Sequence, residues 1–173
     1  YVVHLSSALG LRTFEFARSQ GQRNIYAETC PQYLTLTDAP YADDAEGLKY
    51  IMSPPRRKQT DLDAPWPGIS GGSHDVVGTD HCPFTSAEQK QRGAADSTLC
   101  PNGIPGVELR YALMFSEGFA KGRISLQRLV ELCCTNPARI FGLAPAKGDI
   151  AKGADADLVL FDPAAEWVVS HAQ

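Results

Sequence analysis

The chain has 173 residues, 43% of them hydrophobic and 21% charged, which suits one globular domain with a sizeable core and excludes a disordered or fibrous protein. A formal net charge of −4 argues against nucleic acid or an anionic membrane as the main partner, and no apolar run reaches the roughly 18 residues of a membrane span. The five cysteines (Cys30, Cys82, Cys100, Cys133, Cys134) lack CxxC or zinc-ribbon spacing and are odd in number, so they read as packed thiols of a cytoplasmic protein rather than a disulfide framework.

The chain opens on Tyr1-Val2-Val3-His4, without an initiator Met, as if in the middle of a strand over residues 1–5, and it is read as a fragment. Residues 8–20 form an amphipathic helix with Leu11, Phe14 and Ala17 on one face, stopped by Gly21. A strand is expected over 24–29, a loop with a short helix over 30–47, and another strand over 48–52. Pro54-Pro55 then breaks the chain before a helix near 61–66, and a strand follows over 76–79. Strands alternating with helical connections point to parallel βα units, in an α/β barrel or a doubly wound sheet.

Residues 85–98 are a long polar loop carrying Glu88, Lys90, Arg92 and Asp96, the kind of segment that forms lids or binding loops. The turn-rich run Pro101-Asn102-Gly103-Ile104-Pro105-Gly106 launches a helix over 107–118. Ser125 caps a helix over 126–134, and Asn136-Pro137 begins a final turn ending at Gly142. Beyond Pro145 the texture changes to Gly-Asp turns with short strands expected at 158–161 and 167–169. The division is therefore an α/β portion over 1–145 and a small β segment over 146–173.

His4, Glu28 with Thr29, and Asp80 each end an expected strand, which places them at one rim of a parallel sheet, where loops carry chemistry on rigid roots. A His and an Asp so placed are what a metal-dependent hydrolase needs, since imidazole and carboxylate suit Zn, Mn, Fe or Ni. Plainer readings stand beside this one: Asp80 as a turn cap, His4 as a hydrogen-bonded structural residue, and Glu28 as a partner of backbone or of a basic side chain. His81 either orients Asp80 or contacts substrate, or else anchors the turn. Cys82, beside Pro83 and without a Cys-His-Asn arrangement, does not read as a nucleophile. His74 and His171 read as solvent-exposed bystanders, His74 at the opposite rim.

Five motifs carry a resemblance: His4-Leu5-Ser6-Ser7, Glu28-Thr29-Cys30-Pro31-Gln32-Tyr33-Leu34, Lys49-Tyr50-Ile51-Met52-Ser53-Pro54-Pro55-Arg56, Gly78-Thr79-Asp80-His81-Cys82-Pro83-Phe84 and Pro101-Asn102-Gly103-Ile104-Pro105-Gly106-Val107-Glu108. In order and spacing the chain closely resembles the dihydropyrimidinase and D-hydantoinase family of cyclic amidohydrolases. Its tail, Lys147-Gly148-Asp149-Ile150 and Gly153-Ala154-Asp155-Ala156-Asp157-Leu158-Val159, is similar to the broader amidohydrolase ending. The resemblance implies an α/β fold: the C-terminal part, about strands six to eight, of a TIM-type (β/α)₈ metallohydrolase barrel, then the start of a return to a small β-sandwich.

By the same resemblance His4 matches the metal-binding histidine of the sixth strand. Asp80 matches the aspartate of the eighth, a metal ligand and proton shuttle. Ser53 and Asn102 lie where the family holds the cyclic amide, largely through backbone groups. The implied cofactor is a pair of divalent ions, Zn foremost with Mn, Co, Fe or Ni as further fits, bridged by a carbamylated lysine that this chain lacks along with the ligands of earlier strands. The implied reaction opens a dihydropyrimidine or hydantoin ring to an N-carbamoyl amino acid with a metal-bound hydroxide as nucleophile, in a cytoplasmic homo-oligomer, tetramer or dimer, of pyrimidine catabolism. The chain alone, with two ligands, is expected to be inactive. The resemblance also admits a non-catalytic scaffold like the collapsin response mediator proteins. It admits an allantoinase or dihydroorotase as well, although dihydroorotases tend to Pro-His-His where this chain reads Pro31-Gln32-Tyr33.

Overall fold

The computed structural model describes residues 1–166, 168 and 169. Three strand segments run parallel and lie side by side in chain order. Val2 bridges Ala27, and β1 (Glu28–Thr29) pairs with β2 (Val76–Val77) in the register Glu28 to Val76 and Thr29 to Val77. Consecutive parallel neighbours joined by helical crossovers are the layout expected of βα units. The ladders are shorter than the strands expected over 1–5, 24–29 and 76–79. The chain leaves extended geometry at His4 (φ 54°) and Asp80 (φ 47°), which ends the pairing at those points.

The first crossover is α1 (Ala8–Ser19). The Ser7 hydroxyl accepts from the Gly10 N–H at its start, Leu11 and Phe14 bury one face, and Gly21 at φ 90° lets the chain turn away after it. Near its last turn Arg18 donates to Asp75 at 2.6 Å and to the carbonyl of Ile25 at 3.1 Å. The same Asp75 oxygen accepts from Ala27 N–H at 2.8 Å. One ion pair thus ties helix, middle strand and the start of β2 together.

The second crossover contains α2 (Gln32–Thr35), α3 (Asp44–Lys49), α4 (Gln59–Asp63) and α5 (Pro65–Gly71). The strand expected over 48–52 is not formed. Leu48 and Lys49 close α3, whose cap Asp43 accepts from the N–H groups of Ala45 and Glu46 with Asp44 and Glu46 in the first turn. A short apolar run cannot distinguish a strand from a helix end, and here the capping and first-turn acids decide. The helix expected near 61–66 is divided between α4 and α5, with Pro65 starting the second.

After β2 the polar segment 85–98 forms two 3₁₀ turns, Lys90–Gly93 and Ser97–Leu99. The helix expected over 107–118 appears as α6 (Arg110–Leu113) running into a π-helical turn, Met114–Phe119. Ser125 caps α7 (Leu126–Val130) by accepting from Arg128 N–H at 3.1 Å, and the helix continues through a π turn, Glu131–Thr135, into α8 (Asn136–Ile140). The main core lies where these helices and α5 meet β2, with Trp66, Ile69, Val77, Met114 and Leu132 buried together. Among the described residues no helix is long and apolar enough to cross a membrane.

The strand expected at 158–161 is absent: the segment is irregular and exposed, because no neighbouring strand among the described residues offers it a ladder. The strand expected at 167–169 includes Trp167, which lies outside the described residues, as does His171. Lys147 pairs with Asp155 at 2.9 Å and with Asp157, folding the tail back on itself.

His74 is not the solvent-exposed bystander expected from its place ahead of the strand. It is fully buried, and neither ring nitrogen has a hydrogen-bond partner among the described residues. Burial first, then the nearby Arg128 and Arg18, lowers its pKa to about 4. The unfolded chain therefore binds a proton at His74 between about pH 6.5 and 4 that the folded chain refuses, so stability falls as pH drops through that window. Replacing His74→Leu should flatten this part of the stability profile, read as a smaller loss of Tm on acidification than in the parent protein.

Candidate functional site

His4 and Asp80 follow the two parallel segments that flank the middle strand, and both adopt left-handed backbone, which costs a non-glycine residue about 1 kcal/mol. Such conformations persist only where the surroundings over-determine them, and the flanking bonds do so here. Around His4, Glu28 N–H donates to Val2 O at 2.9 Å and Leu5 N–H to Glu28 O at 2.7 Å. Before Asp80, Gly78 N–H donates to Thr29 O at 2.9 Å, and the buried Gln32 amide donates to Thr79 O at 3.0 Å.

These bends bring His4 Nε2 to 3.6 Å from Asp80 Oδ1, while His4 Nδ1 lies 3.4 Å from Glu28 Oε1. The imidazole thus stands between two carboxylates, each of which accepts but cannot donate when ionised. A proton on Nδ1 answers Glu28. With that proton alone, the Nε2 lone pair and Asp80 Oδ1 are two electron-pair donors on one side of the ring, and with a proton on each nitrogen the ring is an imidazolium paired to both carboxylates.

Glu28 is the residue whose role the sequence misjudged. Its side chain meets His4 and accepts from the Tyr1 hydroxyl at 3.0 Å, with no Arg or Lys in ion-pair range among the described residues. The available signal was its position at the same rim as His4. Gly78 makes room for it, since a Cβ there would stand 2.7 Å from the Glu28 carboxyl carbon. Cys30 Sγ also lies 3.6 Å from His4 Nδ1, and His4, Glu28 and Cys30 form a cluster able to ligate a metal. Burial first, and then Glu28 and Asp80, raises the Cys30 pKa, so its sulfur stays a thiol.

A second group of segments adjoins Asp80. Ser53 and Asn102, both exposed, meet directly, the Ser53 hydroxyl donating to Asn102 Oδ1 at 3.1 Å. Gly103 N–H donates to Ile51 O at 3.0 Å, joining the same two segments. His81 pairs in a parallel bridge with Ile104, and Cys82 N–H donates to Ile104 O at 3.1 Å. Of the roles open to His81, the geometry matches the turn anchor: its Nδ1 accepts from the N–H groups of Gly106 and Val107 at 3.0 and 3.2 Å. Gly103 permits the close approach, because a Cβ there would lie 2.6 Å from Cys82. An apolar cavity of about 690 Å³ between α6–α8 and the tail is lined by Tyr111, Phe115, Leu129 and Ile150 among others and includes neither His4 nor Asp80.

A family model described as Amidohydrolase family matches residues 4–172. The chain belongs to the amidohydrolase family. This amidohydrolase chain is 49% identical over 171 residues to a D-phenylhydantoinase of Escherichia coli O1:K1 / APEC, covering 99% of this chain and 37% of that protein. Among solved structures, a D-hydantoinase is 42% identical with a TM-score of 0.96 over 99% of this chain and 37% of its own. The dihydropyrimidinase of Brevibacillus agri is 46% identical with a TM-score of 0.87 over 90% and 34%. The chain therefore spans a little over a third of the length of the relatives it matches.

The fit of Glu28 against Gly78 is open to test. Gly78→Ala should push the Glu28 carboxylate aside and destabilise the protein by about 1–3 kcal/mol in denaturant melts. Adding Glu28→Ala to that variant should recover part of the loss. Additive effects of the two substitutions would show that they do not meet.

Proposed function

We propose that this chain supplies the rear of a catalytic centre that opens cyclic amides, hydantoins or dihydropyrimidines, to N-carbamoyl amino acids, with His4 and Asp80 as ligands to a pair of divalent ions. The observation that carries this is the facing pair His4 Nε2 and Asp80 Oδ1 at 3.6 Å, held by strained backbone. The separation fits: two donors about 2.0–2.2 Å from one tetrahedral ion stand roughly 3.4 Å apart. Glu28 on the far side of the ring completes a carboxylate–histidine pair that fixes which nitrogen binds. The names of the similar proteins, hydantoinases and a dihydropyrimidinase, support the substrate class. In this reading residues 1–145 are strands six to eight of a barrel and 146–173 begin a β-sandwich. The other ligands, a carbamylated lysine among them, would come from the part of the relatives not matched here, and would help hold two divalent ions, Zn foremost. The whole works as a cytoplasmic homo-oligomer.

Bound divalent ions would supply Lewis acidity, polarising the ring carbonyl and lowering the pKa of a water to about 7. Asp80, about one-third exposed at its side chain, is reachable by substrate. Its carboxylate takes the proton from the attacking water and delivers it to the ring nitrogen. The C–O bond forms, the C–N bond breaks, and nitrogen leaves as a neutral amide rather than an anion. Ser53 and Asn102 offer exposed backbone at a stiff turn to hold the ring edge.

In the full-length protein Asp80→Asn should lower kcat for hydantoin and dihydrouracil by about 10²–10⁴-fold with the far-ultraviolet spectrum unchanged. Near-parental ring opening by this variant would overturn the assignment. His4→Ala should lower bound divalent metal by elemental analysis, and Glu28→Gln should weaken metal affinity about ten- to a hundredfold. Unchanged stoichiometry in His4→Ala would return that residue to a structural role.

A further inference from the structure

Lys90 lies in the polar segment after β2, yet it is only 2% exposed. Its ammonium donates to Ile51 O at 2.7 Å and to Pro101 O at 2.7 Å, and it stands 5.4 Å from the centre of the Phe84 ring. No carboxylate lies in ion-pair range of it among the described residues. A buried cation answered only by carbonyls and an aromatic face is a costly way to join two loops, since a neutral donor would serve packing alone. The two carbonyls are not arbitrary: Ile51 precedes Ser53 by two residues, and Pro101 directly precedes Asn102.

The peptide plane gives the link to function. Carbonyl and N–H of one trans peptide point in opposite directions, so a Pro101 carbonyl drawn to Lys90 turns the Asn102 N–H away from it. That N–H has no acceptor among the described residues, and Asn102 is exposed. Ile51 O is held from two sides, by Lys90 and by Gly103 N–H at 3.0 Å, which locks the two segments to one another. Charge-assisted hydrogen bonds to both carbonyls give this joint a stiffness that neutral donors would not.

We propose that Lys90 is a positioning residue for substrate: its buried ammonium sets the spacing of the Ser53 and Asn102 segments and aims the Asn102 N–H at the ring amide. This rests on the cyclic-amide reading above. The test uses the full-length, metal-loaded protein with Lys90→Met, which removes every donor, and Lys90→Gln, which keeps a neutral one. KM and kcat are measured for hydantoin and dihydrouracil beside metal content and thermal melting. The expected order of KM is parent below Lys90→Gln below Lys90→Met, with a rise of about tenfold in the last, while kcat and metal stoichiometry hold. A folded variant of either kind with the parental KM would overturn the proposal, as would loss of kcat together with metal. If Lys90→Met does not fold, Lys90→Gln decides by the same criteria. A parent protein that opens neither ring would overturn the cyclic-amide reading instead, and this inference with it.

Discussion

The arrangement depends on one constraint: two parallel segments must each bend into left-handed backbone at the point where their ladder ends. At His4 and Asp80 an L residue is held in a conformation it disfavours, and the bonds that hold it come from the neighbouring strand and from Gln32. Because the bends face one another, an imidazole nitrogen and a carboxylate oxygen meet at 3.6 Å. Strain of this kind is a poor solution for packing alone. Gly78 belongs to the same device, since its missing side chain admits the carboxylate that steadies the back of the imidazole.

Much of the remaining polar chemistry serves to satisfy carbonyls left over where strands and loops end. Arg18 donates to Ile25 and Gly72, Arg128 to Ile69 and His74, Arg110 to Val77, and the Asn136 amide to Asp75. With strands of two residues, little of this capacity is met by the sheet itself, and unmet buried carbonyls would be expensive. Long basic side chains reach them while laying their stems along the apolar core. Lys90 fits this pattern and departs from it in one respect: the two carbonyls it binds belong to separate loops beside the candidate site.

His74 shows the opposite choice. Its ring sits in the interior without a partner among the described residues, next to guanidinium groups that already serve the carbonyls around it. Two positive neighbours and low polarity keep the ring neutral, which suits a core position only while the surrounding solution is not acidic.

The sequence by itself determined the α/β alternation, the helix cap at Ser125, the stop at Gly21, and the placing of His4, Glu28 and Asp80 at one rim, because each rests on local pattern and on the fixed direction of parallel strands. Its motifs also carried the likeness to hydantoinases that the comparisons bear out. Residues 48–52 misled because a five-residue apolar run fits a helix end as well as a strand, and the capping by Asp43 chose between them. Residues 158–161 misled because strand propensity is realised only beside a partner. Tertiary structure alone decided that Glu28 faces His4, that His81 anchors a turn, that His74 is buried and that Lys90 joins two loops. Those facts depend on which distant segments come together, and residues separated by tens of positions carry no local mark of the neighbours they will meet.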